Sequence, residues 1–144
     1  MANYLQIEWR PDDDWNDVIH VSMVSSGFSA TGGPYYAHRA FLADFGKALD
    51  RYPIELDSTP ELSISYGTFV GNPPKSIDLP PVLSIRIEPV DLTGHLIAAA
   101  LITHSDPDQR AELRMATTYG ALQRFREQLR ETEGLPMNGV ARLE

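Results

Sequence analysis

The sequence predicts an α+β fold, with about six mostly antiparallel strands in a sheet on which two helices pack. Segments with a strand-like alternation of apolar and polar residues come in runs, and the two segments with a helical apolar stripe do not alternate with them. The predicted element order is therefore β-β-α-β-β-β-β-α. Because no interdomain linker is visible, we expect a single α+β domain over residues 1–134 and a C-terminal tail over residues 135–144.

The first two strands are predicted near the start of the chain, where they can form a hairpin. Residues 4–10 place Leu5, Ile7 and Trp9 on one face, and residues 18–25 alternate in the same way.

The stretch GFSATGGP, residues 27–34, predicts a turn that precedes the first helix. Pro34 suits the first helical turn, where its missing N–H group costs nothing, and Pro53 ends the helix. Gly27 and Gly32 have the spacing of a phosphate-binding loop, but Gly33 and Pro34 occupy the positions of its Lys and Ser or Thr. The sequence thus favours the turn over a phosphate site.

Four further strands and a second helix are predicted in the rest of the chain. The strands cover residues 61–66, 82–88, 94–104 and 110–117. Leu96 to Ile102 is apolar on both faces, which is typical of a central strand that is covered on both sides. The last helix runs from about Thr118 to Glu133, with Thr117 or Thr118 as its N-cap. Residues 68–81 form a long loop, a feature that is often functional.

The composition excludes several classes of partner. The chain has 144 residues, of which 42% are hydrophobic and 22% charged, so it is long and apolar enough to bury a core. Its formal net charge is −8. Because nucleic acids and anionic membranes attract cationic surfaces, this charge argues against both and favours a basic protein.

The absence of cysteine excludes disulfides, thiolate metal sites and cysteine nucleophiles. The start MANYLQIEW lacks the basic and apolar segments of a secretory signal, and the longest apolar run has only seven residues. We therefore expect a cytoplasmic protein with no membrane span.

The run PDDDWND, residues 11–17, concentrates four carboxylates around one aromatic side chain. A calcium loop is one interpretation, since alternate positions carry Asp or Asn, but Asp17 stands where such a loop needs glycine. A solvated hairpin turn and an acidic contact surface for a partner are the others, because aromatic side chains among charges mark some interfaces. We take the contact surface as the working hypothesis, with Asp12, Asp13, Asp14, Trp15 and Asp17 as its residues.

No catalytic or metal-binding constellation is visible. The four histidines do not have the short spacings of zinc ligands, and His104 with Asp106 is the only close pair of a histidine and a carboxylate. We therefore expect no catalytic residue, no metal and no cofactor. The alternative hypothesis is a small-molecule-binding or hydrolytic domain with a site under the 68–81 loop, bordered by His104, Asp106 or His95.

Three short stretches resemble small uncharacterised bacterial proteins that include the WapI-like immunity proteins of toxin systems. They are VSSGFSATGG (24–33), FLADFGKALDRYP (41–53) and TTYGALQRFREQL (117–129). The resemblance implies a small α+β domain without a cofactor, and a function of neutralising a toxin by binding it.

These observations lead to a non-enzymatic protein-binding module as the first hypothesis, with an immunity protein for a basic toxin domain as its specific form. A third hypothesis is a homo-oligomer that pairs through an exposed sheet face.

Overall fold

The computed structural model describes residues 2–91, 93–105, 108–131 and 136–144. Within these residues the fold is α+β, with two helices and ten strands, and all the strand pairs are antiparallel. The elements are β1 (Tyr4–Pro11), β2 (Asn16–Ser25), β3 (Phe28–His38), α1 (Ala40–Ala48), β4 (Glu61–Ile64), β5 (Gly67–Val70), β6 (Lys75–Asp78), β7 (Leu83–Pro89), β8 (His95–Ser105), β9 (Asp108–Thr118), α2 (Tyr119–Arg130) and β10 (Gly139–Leu143).

Two four-stranded sheets and the two helices surround one hydrophobic core. The strand orders are β10-β1-β2-β3 and β4-β7-β8-β9, and β5 and β6 form a separate hairpin. Buried side chains from both sheets and both helices belong to one cluster. The helices pack against each other, with the rings of Phe45 and Phe125 edge-to-face at 6.4 Å between centroids. In addition, α1 contacts β4 and α2 contacts β10.

The two sheets contact each other where β3 passes β8. The Tyr35 hydroxyl donates to the Thr103 carbonyl at 2.7 Å and accepts from the Thr103 N–H at 3.1 Å. A Cβ atom on Gly32 would lie 2.5 Å from Cγ2 of Ile102. The close approach therefore requires glycine at position 32.

The stretch GFSATGGP forms most of β3, so the prediction of a turn before the helix is wrong. The pairing of β2 with β3 shifts between Ile19, opposite Tyr35, and Val21, opposite Gly32. Gly33 and Pro34 lie in this bulge, where a missing N–H breaks no regular ladder bond and where Gly33 has φ of +125°. The proline that suggested a helix start thus lies inside a strand, and α1 begins at Ala40.

All six predicted strands are present, but the predicted single sheet of six becomes three sheets with ten strands. Besides β3, the additions are β5, β6 and β10. The 68–81 segment contains the β5–β6 hairpin in place of the predicted loop. In β8, one face is buried and the other only half-buried, so the strand is central but covered on one side. Thr118 caps α2 by accepting from the Ala121 N–H at 3.2 Å.

The predicted C-terminal tail is also wrong, since Gly139–Leu143 pairs with β1 along its whole length. Ala141 and Leu143 are fully buried. Sequence alone suggested a tail because the short strand follows Gly134 and Pro136, which are typical of a helix end. Among the described residues, no helix is both long and apolar enough to cross a membrane.

Candidate functional site

The acidic turn between β1 and β2 is held by the side chain of Asp13. Its carboxylate accepts from the backbone N–H of Trp15 at 2.8 Å and of Asn16 at 2.7 Å. These hydrogen bonds, the one from Trp15 first, lower the pKa of Asp13. Asp13 therefore shapes the turn in addition to contributing charge.

Asp17 is buried and does not belong to the exposed contact surface that the sequence predicted. Its carboxylate lies 3.1 Å from Nε of Arg39, and its side chain is 3% exposed. Burial raises the pKa of Asp17, and the Arg39 guanidinium opposes that rise. The same guanidinium donates to the carbonyls of Asp13 and Asp14 at 3.0 and 3.1 Å. Arg39 thus fastens the acidic turn to the start of α1.

The turn presents its remaining side chains to solvent. Asp12 and Asp14 are exposed. Trp15, which directly precedes β2, is 68% exposed. The Trp15 carbonyl accepts from the Arg39 N–H at 2.8 Å, which fixes the backbone at this position. An indole in this position is a large apolar surface held on a rigid turn, as at many protein interfaces.

Two exposed tyrosines link β3 to the β5–β6 hairpin. Tyr36 is on the outward side of β3 and is 50% exposed. Its backbone N–H donates to the hydroxyl of Tyr66 at 2.8 Å, and Tyr66 leads directly into the β5–β6 hairpin. The Tyr66 carbonyl accepts from the Leu79 N–H at 2.9 Å, which closes the base of the hairpin.

The β5–β6 hairpin exposes apolar side chains on both of its faces. Phe69 is 74% exposed, and Val70 and Ile77 are about half exposed. Phe69 pairs with Ser76, whereas Val70 pairs with Lys75 and lies on the other face because successive side chains alternate. We group the exposed apolar residues of the acidic turn, β3 and the hairpin under the name aromatic face, which includes residues on both sides of the hairpin: Trp15, Tyr36, Tyr66, Phe69, Val70 and Ile77.

The aromatic face was only partly accessible to sequence reasoning. The sequence singles out Trp15 within the acidic run, whereas Tyr66 ends a predicted strand in which it alternates with Leu62 and Ile64 and gives no sign of exposure. Tyr36 follows the predicted turn, at the start of the predicted helix. In the structure Tyr35 and Ala37 are buried and Tyr36 is exposed, which is the alternation of a strand, but the sequence Tyr-Tyr-Ala does not display it.

The structure does not bring His95 and His104, the histidines of the alternative hypothesis, together at one site. His95 and His104 lie near opposite ends of β8, about 30 Å apart at the usual rise of a strand. His95 is 3.0 Å from Asp91, and His104 borders a groove of about 240 Å³ beside Thr31 and Arg110. Asp106, the third residue of the alternative site, lies outside the described residues.

Four surface grooves, of about 240 to 490 Å³, lie on the described residues. Of the 68–81 segment, Pro81 alone lines any of these four, at the edge of the groove of about 400 Å³ on β7, β8 and β9. The groove of about 490 Å³ lies on the outer side of β1 and β2, is open to solvent and is bordered by Glu8, Arg10 and His20. In the described part of the chain, no three His, Asp or Glu side chains are grouped so that they could hold a metal ion. The acidic turn, whose sequence fits the first half of a calcium loop, does not form such a group either.

Comparison with known proteins adds no relative, since no family model, no curated protein and no solved structure matches the chain.

Proposed function

We propose that this chain is a non-enzymatic protein-binding module whose aromatic face, together with Asp12, Asp13 and Asp14, binds a basic protein. The observation that carries the proposal is the β5–β6 hairpin. A two-stranded hairpin is marginally stable in water, and this one exposes Phe69, Val70 and Ile77 on its two faces. Exposed apolar surface of this kind is typical of a protein interaction site.

The distribution of charge supports a basic partner. The chain carries a formal charge of −8, and three exposed carboxylates of the acidic turn adjoin Trp15. Arg39, which contacts the turn, already pairs with Asp17. Arg10 precedes the turn in the sequence, and one cation does not balance three carboxylates. A cationic partner would be steered to this side of the molecule, with the aromatic side chains as anchors.

The resemblance of the three short stretches to WapI-like immunity proteins gives the proposal its specific form. A toxin domain that acts on nucleic acid or anionic substrates would offer the cationic surface that this face complements. We therefore propose neutralisation of a basic toxin domain in the cytoplasm as the biological role.

Affinity capture from host extract, followed by titration of the captured protein, tests this function. We expect a basic protein that is retained at low salt and weakened at high salt, because screening removes the attraction between exposed charges. The double variant Asp12→Asn/Asp14→Asn should weaken binding at low salt. The matched control is Glu127→Gln/Glu131→Gln on α2, which removes the same charge away from the aromatic face.

Equal affinity of both double variants would show that the acidic turn is not the contact surface. Retention of a partner whose affinity is unchanged by salt would contradict the choice of a basic protein.

A further inference from the structure

The two four-stranded sheets have the same construction. Three consecutive strands, β1-β2-β3, are followed by α1 and then by β4, which pairs with β7. Likewise β7-β8-β9 are followed by α2 and then by β10, which pairs with β1. Each half of the chain is thus a β-β-β-α-β unit that gives its last strand to the other half.

Corresponding elements are separated by a nearly constant distance along the chain. The first residues of β1 and β7, β2 and β8, β3 and β9, α1 and α2, and β4 and β10 are 78 to 80 residues apart. The β5–β6 hairpin has no counterpart, because it lies in the connection between the two units.

The buried side chains repeat as well. In the first strand of each unit the pattern is Leu-x-Ile-x-(Trp or Ile)-x-Pro, at Leu5 to Pro11 and at Leu83 to Pro89. In each helix the buried residues follow the pattern Leu-x₂-Phe-x₃-Leu, beginning at Leu42 and at Leu122. The central phenylalanines of the two helices are the ones that contact each other.

The strand registers and turns also correspond. Leu5 pairs with Met23 on one side and Leu143 on the other, as Leu83 pairs with Ile102 and Ile64. After each first strand, an aspartate accepts from the N–H of the residue two positions later at 2.8 Å. These aspartates are Asp13, bonded to Trp15, and Asp91, bonded to Thr93. Aspartate turns of this kind are common, and here they occur at matching positions of the two halves.

We infer that the chain is an internal duplication, in which two β-β-β-α-β repeats bind each other as a strand-exchanged dimer within one polypeptide. The repeats span residues 4–64 and 83–143. The surface that each repeat offers is the free edge of its first strand and the inner face of its helix, and its partner is the other repeat. The start of β1 pairs with the end of β10, just as the start of β7 pairs with the end of β4. The hairpin lies in the connection between β4 and β7.

The two repeats have become complementary to each other and are no longer interchangeable. Gly139 lies opposite Trp9, and a Cβ atom at this glycine would lie 2.2 Å from the indole. Asp50 at the end of α1 binds Arg126 and Arg130 of α2 at 3.0 and 3.1 Å. A pair of identical second repeats would lose these ion pairs, so we expect each repeat to select the other.

Cleavage at the hairpin tip tests the duplication. A protease site between Gly71 and Asn72 divides the chain into its two repeats, and the fragments are denatured, mixed and refolded. We expect a one-to-one complex with the sheet content of the intact chain. The matched control is the same site at Gly27, an exposed β2–β3 turn inside the first repeat. Its fragments should associate at least about tenfold more weakly, since this cut falls inside a repeat and separates the paired strands β2 and β3.

A circular permutant tests the same inference without free fragments. It joins Glu144 to Ala2 through a short Gly-Ser linker and opens the chain between Gly71 and Asn72, which exchanges the order of the repeats. We expect it to fold with a thermal midpoint within about 10 °C of the native chain. Hairpin-cut fragments that stay apart, an unfolded permutant, or equal association of both fragment pairs would each overturn the inference.

Discussion

Arg39 joins the acidic turn to the start of α1. Arg39→Met leaves the Asp17 carboxylate buried without its cation and removes two hydrogen bonds to backbone carbonyls. We expect a loss of about 3 kcal/mol in the free energy of unfolding at pH 7, because an unpaired buried charge is strongly destabilising. Denaturant unfolding measures it, and the double variant Asp17→Asn/Arg39→Met should lose less. A double variant that loses as much as the single one would contradict this explanation.

The pH dependence of stability should reveal the hydrogen bonds to Asp13. Because its pKa is lowered in the folded state, Asp13 stabilises the fold above its unfolded pKa of about 3.9, and this contribution disappears as the pH falls through the folded value. Asp13→Asn keeps an acceptor but cannot titrate, so its thermal midpoint should fall less between pH 6 and pH 3.

Asp91, whose pKa is lowered chiefly by the Thr93 hydroxyl, is the equivalent position in the second half of the chain. Asp91→Asn should reduce the pH dependence in the same direction. Thermal melts of both variants across this pH range check the prediction, and slopes equal to that of the native chain would contradict it.

At the scale of elements, β10 contributes to the fold through its close contact with β1. A Cβ atom at Gly139 would lie 2.2 Å from the ring of Trp9, which is 5% exposed. Gly139→Ala should therefore destabilise the protein by about 1–3 kcal/mol. The control is Gly120→Ala in α2, where the nearest atoms are 3.9 Å away and alanine should raise stability by about 0.5–1 kcal/mol. Equal unfolding midpoints for the two variants would mean that β10 is a loosely held tail.

Strands with clear alternation were predictable, whereas those whose pairing depends on distant residues were not. Leu5, Ile7 and Trp9 identify β1 from sequence, and Leu122, Phe125 and Leu129 identify α2. The glycines and proline of β3 imitate a turn because a bulge accommodates them. β10 is recognisable only once β1 offers it an unpaired edge. Likewise, exposure of Trp15 and Tyr66 depends on packing, which one sequence does not display.

At the scale of the whole molecule, the two repeats explain the arrangement of the sheets and helices. The aromatic face, by contrast, consists of residues that lie in the first repeat or in the connection between the repeats. Trp15 corresponds to Thr93 in the second repeat, and the hairpin is an addition to the connection between repeats. The repeat is not apparent from the sequence, because most matching positions are buried apolar residues of a kind that many strands and helices share. Trp15 and the hairpin break the internal symmetry, and both belong to the surface that we assign to binding.

The most direct test of the binding proposal compares two phenylalanines of equal exposure. Phe69 lies on the hairpin, and Phe28 is the first residue of β3, at the end of that strand away from Tyr36. Each of the two side chains is 74% exposed. The measurement is the Kd of the captured partner for Phe69→Ser and for Phe28→Ser. We predict that Phe69→Ser weakens binding at least about tenfold and that Phe28→Ser leaves it unchanged, because truncation of an interface anchor costs over 1 kcal/mol. Equal Kd values for the two variants would contradict binding through the aromatic face.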